Sequence, residues 1–200
     1  MLSCIVLAAG ESHRFGDSPK ALALINGKTA IRSLIDKLLK TSLEEIIVVL
    51  GARADQIVPH LPTDPRVRRT LNPDYKEGQT SSLKKGLGEL RPETSAFLFL
   101  PVDLPLLKTE TVDSLINAYA QKKPRILIPV FEEKNGHPPI FCADLIKEFV
   151  ALDNNQPLYT IQRRHADDIL KIPVSDPGAV LSFNTPQELE KILKEPTGNS

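Results

Sequence analysis

Strand candidates, most of them short apolar runs, punctuate the chain at 2–7, 46–50, 66–71, 96–100, 126–130 and 169–174. Each has the length of a strand, and several carry apolar side chains on both faces, as strands covered from both sides do. Between them, apolar positions recur at helical spacing. Ala30, Ile31, Leu34, Ile35, Leu38 and Leu39 form one such face. Leu83, Leu87 and Leu90 form a second after Gly78, and Val112, Leu115, Ile116 and Tyr119 a third. Thr185 as N-cap, Pro186 at the first helical position and Glu188 closing a capping box predict a last helix. Strands alternating with helices predict an α/β fold: a three-layer α/β/α sandwich around a mostly parallel sheet. No internal repeat is visible, and 200 residues suit one domain over 1–195 with a frayed tail at 196–200. Ligands of such sheets gather beyond the carboxyl ends of the strands, so the loops that follow strands are where chemistry is expected.

Composition narrows the function. A 41% hydrophobic and 25% charged chain is that of a globular protein and excludes extensive disorder. No apolar run approaches the ~20 residues of a membrane span. The first apolar stretch has no basic flank and stops at Gly10 and Glu11, so no signal peptide is expected. The 25 basic residues balance 25 acidic ones, without the basic excess of a nucleic-acid binder. A small phosphorylated ligand needs only a few local cations and stays compatible. Cys4 and Cys142 lack metal-ligand spacing, and Cys4 reads as a buried strand residue; with no signal peptide, a reducing cytoplasm is expected.

The loop after the first strand is built from small residues: Leu7, Ala8, Ala9 and Gly10, with Arg14 and Lys20 following. Small side chains let a base or phosphate approach the backbone, whose N–H groups can donate to phosphate oxygens. Arg14 offers a bidentate fork and Lys20 a compact charge. The loop is neither a Gly-Lys-Ser/Thr phosphate loop nor a Gly-x-Gly-x-x-Gly dinucleotide loop. After the strand at 96–100 comes Pro101-Val102-Asp103-Leu104-Pro105. One carboxylate there, outward at a strand end, could hold Mg²⁺ with triphosphate oxygens, or cap the helix near Thr109. Gly78 to Leu83 supplies a turn and hydroxyls at a helix start, which capping alone can explain. Asn135-Gly136-His137-Pro138 forms a tight loop before an apolar strand, and a lone loop histidine can be structural.

The pattern Leu-Ala-Ala-Gly-x-Ser-x-Arg-Phe-Gly followed by Lys20 resembles the signature loop of MobA-like nucleotidyltransferases, in particular the molybdenum cofactor cytidylyltransferases. The resemblance runs over roughly 3–195. It implies a Rossmann-like fold of the nucleotide-diphospho-sugar transferase type. It also implies a Mg²⁺-dependent enzyme that transfers a nucleotidyl group to a phosphorylated acceptor and releases pyrophosphate, with CTP the favoured nucleotide and a molybdopterin-type acceptor. A molybdoenzyme or its chaperone is the further partner implied. By the same resemblance Leu7, Ala8, Ala9, Gly10, Arg14, Lys20, Gly78 and Ser82 hold the nucleotide, with Ser82 by the base. Arg14, Lys20 and Asp103 are catalytic, and Gly136, His137 and Pro138 lie near the acceptor.

Two segments depart from the cytidylyltransferase pattern. Where that branch has Asp-Ile-Asp-Thr-Pro, this chain has Ser182-Phe183-Asn184-Thr185-Pro186, a form closer to the guanylyltransferase branch. Asn184 then takes the place of a metal-sharing carboxylate, contributing an oxygen but no charge. The segment Asn154-Asn155-Gln156-Pro157-Leu158-Tyr159-Thr160 replaces a Gly-Asp-x-Gly-Ala-Arg type stretch that faces the acceptor in relatives. The alternatives are a guanylyl- or other nucleotidyltransferase with a different phosphorylated acceptor, and a nucleotide- or cofactor-binding protein without turnover.

Overall fold

The structure, a computed structural model, describes residues 1–16 and 18–194; the tail expected at 196–200 lies outside them. The first apolar run forms β1 (Leu2–Ala8). Because alternate strand residues face opposite sides, Cys4, Val6 and Ala8 enter one core while Ile5 and Leu7 enter the other. A hairpin of β2 (Leu24–Ile25) and β3 (Lys28–Thr29) leads into α1 (Ala30–Leu38). There follow β4 (Glu45–Leu50), α2 (Ala54–Ile57), β5 (Val67–Leu71), α3 (Gln79–Leu87), β6 (Ala96–Pro101), α4 (Thr109–Lys122) and β7 (Ile126–Phe131). The chain continues through β8 (Lys134–Asn135), β9 (Ile140–Cys142), α5 (Ile146–Val150), α6 (Tyr159–Arg164), β10 (Ile169–Pro173) and α7 (Pro186–Lys194).

Among the described residues the main sheet has eight strands in the order β10-β7-β9-β6-β1-β4-β5, with β8 paired to β7. The pairs β6·β1, β1·β4, β4·β5 and β10·β7 are parallel. The layers and mostly parallel sheet are those read from the alternation of runs. The exceptions are β8, which pairs antiparallel with β7, and β9, which inserts antiparallel between β6 and β7, pairing Leu98 with Ile140 and Leu127 with Ile140. An antiparallel strand begins where its neighbours end, so the Gly136–Pro139 loop is delivered to the carboxyl edge of β6.

One face of the sheet is covered by α1 and α4 through Ile31, Leu34, Ile35, Leu38, Val112 and Leu115. The other is covered by α3, α5 and α6 through Leu83, Leu87, Phe149 and Ile161, packed on Phe97, Phe99 and Phe141. Phe97 and Phe141 stack at 5.5 Å and Phe149 meets Phe141 edge-on at 5.0 Å, arrangements that add to the area they bury. A smaller core under α7 joins Phe183, Leu189 and Ile192 to Ala23, Ile25 and Phe15. At the amino edge of the sheet the fully buried Glu45 is satisfied by the Ser3 hydroxyl at 2.9 Å and Arg68 at 2.7 Å, a structural ion pair far from the loops of interest.

The last helix starts as its sequence predicts, with one shift. The Glu188 N–H donates to Thr185 Oγ1 at 3.2 Å, but the Glu188 carboxylate accepts from the Asn184 N–H at 2.6 Å, one residue before the expected partner. α4 is not capped by Asp103. Asp176 does this from the far side of the sequence, accepting from the Lys108 N–H at 2.9 Å and the Thr111 hydroxyl at 2.7 Å.

Candidate functional site

The carboxyl ends of β1 and β6 lie side by side in parallel register, Leu7 opposite Pro101. The chain leaves β1 through Ala9 and Gly10 and leaves β6 through Val102 and Asp103, and the Val102 N–H donates to the Leu7 carbonyl at 3.3 Å. Ala8 and Ala9 are buried at this edge, Ala8 in one core and Ala9 in the other, whereas Gly10 is exposed with open space where a side chain would be. Ala9 is anchored from β4: its carbonyl accepts from the Ala52 N–H at 3.0 Å. Gly51 packs directly beneath, since a Cβ there would lie 2.6 Å from the Ala9 carbonyl oxygen and 2.7 Å from Tyr75 Cβ. Gly51 escaped the sequence reading, although a glycine following an apolar strand was the available signal.

Lys20, on the turn Lys20–Leu22, donates its ammonium to Asp103 Oδ2. The other carboxylate oxygen, Oδ1, is buried with no partner in the chain. Asp103 is 7% exposed. Its side chain therefore faces Lys20 inside the mouth and does not stand outward, because the turn after β6 folds it under the loop that carries Lys20. A buried acceptor without a donor costs free energy and is uncommon in folded chains. The Asp103 carbonyl accepts from the Phe183 N–H at 3.2 Å, which lays the segment bearing the half-buried Asn184 alongside Asp103. Asp103 carries a carboxylate and Asn184 an amide oxygen, both hard ligands of the kind Mg²⁺ prefers. Among the described residues no three His, Cys, Asp or Glu side chains cluster to enclose a metal by themselves. The orphaned Asp103 oxygen fits an ion that takes most of its ligands from phosphate and water.

Arg14 stands exposed on the turn His13–Phe15. Gly78 has φ of +105°, a conformation that favours glycine, and precedes α3. The hydroxyls after it do not cap the helix. Ser81 Oγ donates to the Asp74 and Gly78 carbonyls, each at 2.9 Å. Ser82 is buried inside α3 and its hydroxyl accepts from Asn72 Nδ2 at 3.1 Å. Asn72, directly after β5, ties both serines and was missed because nothing local marks it.

The Gly136–Pro138 loop reaches the same edge. The Gly136 N–H donates to the Pro129 carbonyl and the His137 N–H to the Ala179 carbonyl, both at 2.8 Å, and Pro138 follows through a cis peptide bond. The His137 ring lies edge-on to Phe99 at 6.2 Å, and its Nδ1 is buried without a partner. Burial lowers its pKa below the ordinary 6.5, against the opposing pull of Asp103 and a hydrogen bond to the Phe99 backbone. His137 opens onto a cavity of about 530 Å³ that Gly136, Thr80 and the 154–159 segment also line. The described structure has no helix long and apolar enough to cross a membrane.

Residues 4–169 match the family model for the MobA-like NTP transferase domain. Among curated proteins, nicotine blue oxidoreductase of Paenarthrobacter nicotinovorans is 26% identical, over 94% of this chain and 95% of its own length. A probable molybdenum cofactor guanylyltransferase of Rhodopirellula baltica is also 26% identical, over 92% of this chain and 88% of its own. Among solved structures, Rv0371c from Mycobacterium tuberculosis H37Rv superposes with a TM-score of 0.83 at 20% identity, covering 97% of this chain and 98% of that one. The same protein in complex with manganese gives 0.80 at 19% identity, with the same coverage. At these identities the structural likeness establishes the fold alone.

Proposed function

We propose the following reaction for this chain, which belongs to the MobA-like NTP transferase family and is a nucleotidyltransferase: Mg²⁺-dependent transfer of the cytidylyl group of CTP to the phosphate of a molybdopterin-type acceptor. An acceptor phosphate oxygen bonds to the α-phosphorus, the bond from that phosphorus to the bridging oxygen breaks, and pyrophosphate leaves with the electron pair. The observation that carries this reading is the Lys20–Asp103 pair at the carboxyl edge of the sheet, with Asp103 Oδ1 buried and unpartnered beside it.

Asp103 and Asn184 would hold Mg²⁺, which when bound supplies positive charge to the phosphate oxygens. Lys20, released from Asp103 by a competing triphosphate, and Arg14 neutralise charge growing on the α-phosphate and on the leaving pyrophosphate. Gly10 leaves room for phosphate, and the buried Ala8 and Ala9 fix the loop from below. The acceptor phosphate is already anionic, so no side chain need act as nucleophile. Catalysis is then positioning and electrostatics.

Ala8, Ala9 and the Gly78 to Leu83 segment, of the cytidylyltransferase kind, support CTP. A second reading, GTP, is favoured by Asn184-Thr185-Pro186 and by the name of the Rhodopirellula baltica relative. Pyrophosphate release from CTP, GTP, ATP and UTP with Mg²⁺, with and without molybdopterin, separates them. Acceptor-dependent release fastest with CTP is expected. Faster release with GTP selects the second reading, and no release from any nucleotide overturns transfer in favour of a binding role.

A further inference from the structure

The stretch 174–184, between β10 and α7, is bonded to both sides of the edge on which the proposed reaction draws. The Phe183 N–H donates to the Asp103 carbonyl at 3.2 Å, and Asn184 follows directly. The Ala179 carbonyl accepts from the His137 N–H at 2.8 Å. One piece of backbone therefore joins the turn that carries Asp103 to the Gly136–Pro138 loop.

That piece is itself fixed at Asp176, which is 3% exposed. Asp176 Oδ2 accepts from the Lys108 N–H at 2.9 Å and the Thr111 hydroxyl at 2.7 Å, and Oδ1 accepts from the Gly178 N–H at 2.9 Å. A buried carboxylate is costly unless its oxygens are satisfied, and here N–H and O–H groups satisfy them. Capping α4 needs only the Oδ2 side of this arrangement. The Oδ1 side ties the helix start to the turn Pro177–Ala179. Gly178 then packs backbone against backbone: a Cβ there would lie 2.4 Å from the Leu106 carbonyl and 2.6 Å from the Leu107 nitrogen. Lys37 holds the same 103–108 stretch from α1, its ammonium donating to the Pro105 carbonyl at 2.9 Å.

An acceptor phosphate that enters beside the Gly136–Pro138 loop must meet the α-phosphorus near Asp103 in line and in contact. A misplacement of ~1 Å in such a reaction costs about 100-fold in rate. Resting on the transfer reaction proposed above, we infer that Asp176 is a positioning residue. Through the Pro177–Ala179 turn it sets the separation between the Asp103 turn and the Gly136–Pro138 loop, acting through backbone and not on substrate or metal.

Amide hydrogen exchange and steady-state kinetics of the full chain test this in the wild type, Asp176→Asn, Gly178→Ala and Thr111→Val. A carboxamide has one acceptor oxygen, so Asp176→Asn gives up either the α4 side or the Gly178 side. Thr111→Val removes one bond to Oδ2 and leaves both sides joined. In Asp176→Asn the His137 and Phe183 N–H groups should exchange at least ~10-fold faster relative to Ile47 and Val48 of β4, which report global unfolding. Acceptor-dependent kcat should fall at least ~10-fold while CTP affinity stays within about twofold, the split expected of lost alignment. Gly178→Ala keeps the carboxylate and should show both effects; it carries the test if Asp176→Asn does not fold. Thr111→Val should loosen only the first turn of α4 and keep the wild-type kcat. Faster exchange confined to the first turn of α4, or wild-type kcat in folded Asp176→Asn, reduces Asp176 to a helix cap and overturns the inference. If the exchange pattern holds and the wild type releases no pyrophosphate, the proposed reaction falls and the fixing of the two loops by Asp176 stands. If the wild type turns over and the variants match it, the inference alone falls.

Discussion

The Lys20 ammonium holds one oxygen of the Asp103 carboxylate across 83 residues of sequence, while the other oxygen is buried and unpartnered. The pair is neutral as it stands. A metal–triphosphate complex would exchange it for two new pairings, Asp103 with the cation and Lys20 with phosphate. Both charges are thus held at one edge of the sheet before substrate arrives, and the exchange replaces one ion pair by two.

Asn184 should limit metal affinity. If it contributes its amide oxygen to Mg²⁺, Asn184→Asp adds one negative charge to the site. The Mg²⁺ concentration for half-maximal activity should then fall about tenfold, equivalent to ~1.4 kcal/mol, with less effect at saturation. If Asn184 only precedes the Thr185 cap, the change acts as a helix-terminus charge worth ~0.3–1 kcal/mol of stability. Mg²⁺ titrations of both proteins decide it: superimposable curves remove Asn184 from the metal.

Gly51 should set the height of the nucleotide loop. Gly51→Ala places a Cβ 2.6 Å from the Ala9 carbonyl oxygen and 2.7 Å from Tyr75 Cβ, so backbone must move. A loss of ~1–3 kcal/mol in urea denaturation is expected, together with weaker CTP binding. Unchanged stability and affinity would contradict the packing described.

His137 should make stability depend on pH in one direction. Its folded pKa lies below the ordinary 6.5, so just below 6.5 the unfolded chain binds a proton that the folded ring refuses. Its contribution is complete above 6.5 and is lost as pH falls from there towards the folded pKa. Denaturation midpoints should fall between about pH 7 and about pH 5, and fall less in His137→Gln. Equal declines in the two proteins would show that the ring is free to charge in the fold.

The nucleotide should be discriminated at the loops and not at Asn184. Equilibrium titrations at equal Mg²⁺ are expected to give tighter binding of CTP than of GTP. Equal or tighter GTP binding would show that the Asn184 position tracks the base.

Much of the fold is legible because buried strands and amphipathic helices carry their periodicity in sequence. β1, β4, β6 and β7 are apolar on both faces, and α1 repeats at 3.6 residues. The short elements are not so marked. β9 has three residues, and nothing in Ile140-Phe141-Cys142 says that it runs antiparallel. α5 and α6 show too few turns for a period to emerge. Within the site, Lys20 and Asp103 are recognisable by residue type at strand ends, but their pairing is tertiary. Asp103 therefore reads as outward when it is turned inward. Ser82 reads as a hydroxyl at a helix start, open to a capping role, because its partner Asn72 lies ten residues away, just beyond β5. The cap of α4 is hidden for the same reason, Asp176 arriving 68 residues after Lys108.

The central claim is that Asp103 and Lys20 form the Mg²⁺-dependent centre of nucleotidyl transfer. It is tested most directly by following label from α-³²P-CTP to molybdopterin at saturating Mg²⁺, in the wild type and in Asp103→Asn. Thermal unfolding of both checks that the fold survives. The account predicts label transfer by the wild type and a rate at least ~100-fold lower in the variant, the scale of losing one pre-organised electrostatic group. Equal rates in two folded proteins would contradict it.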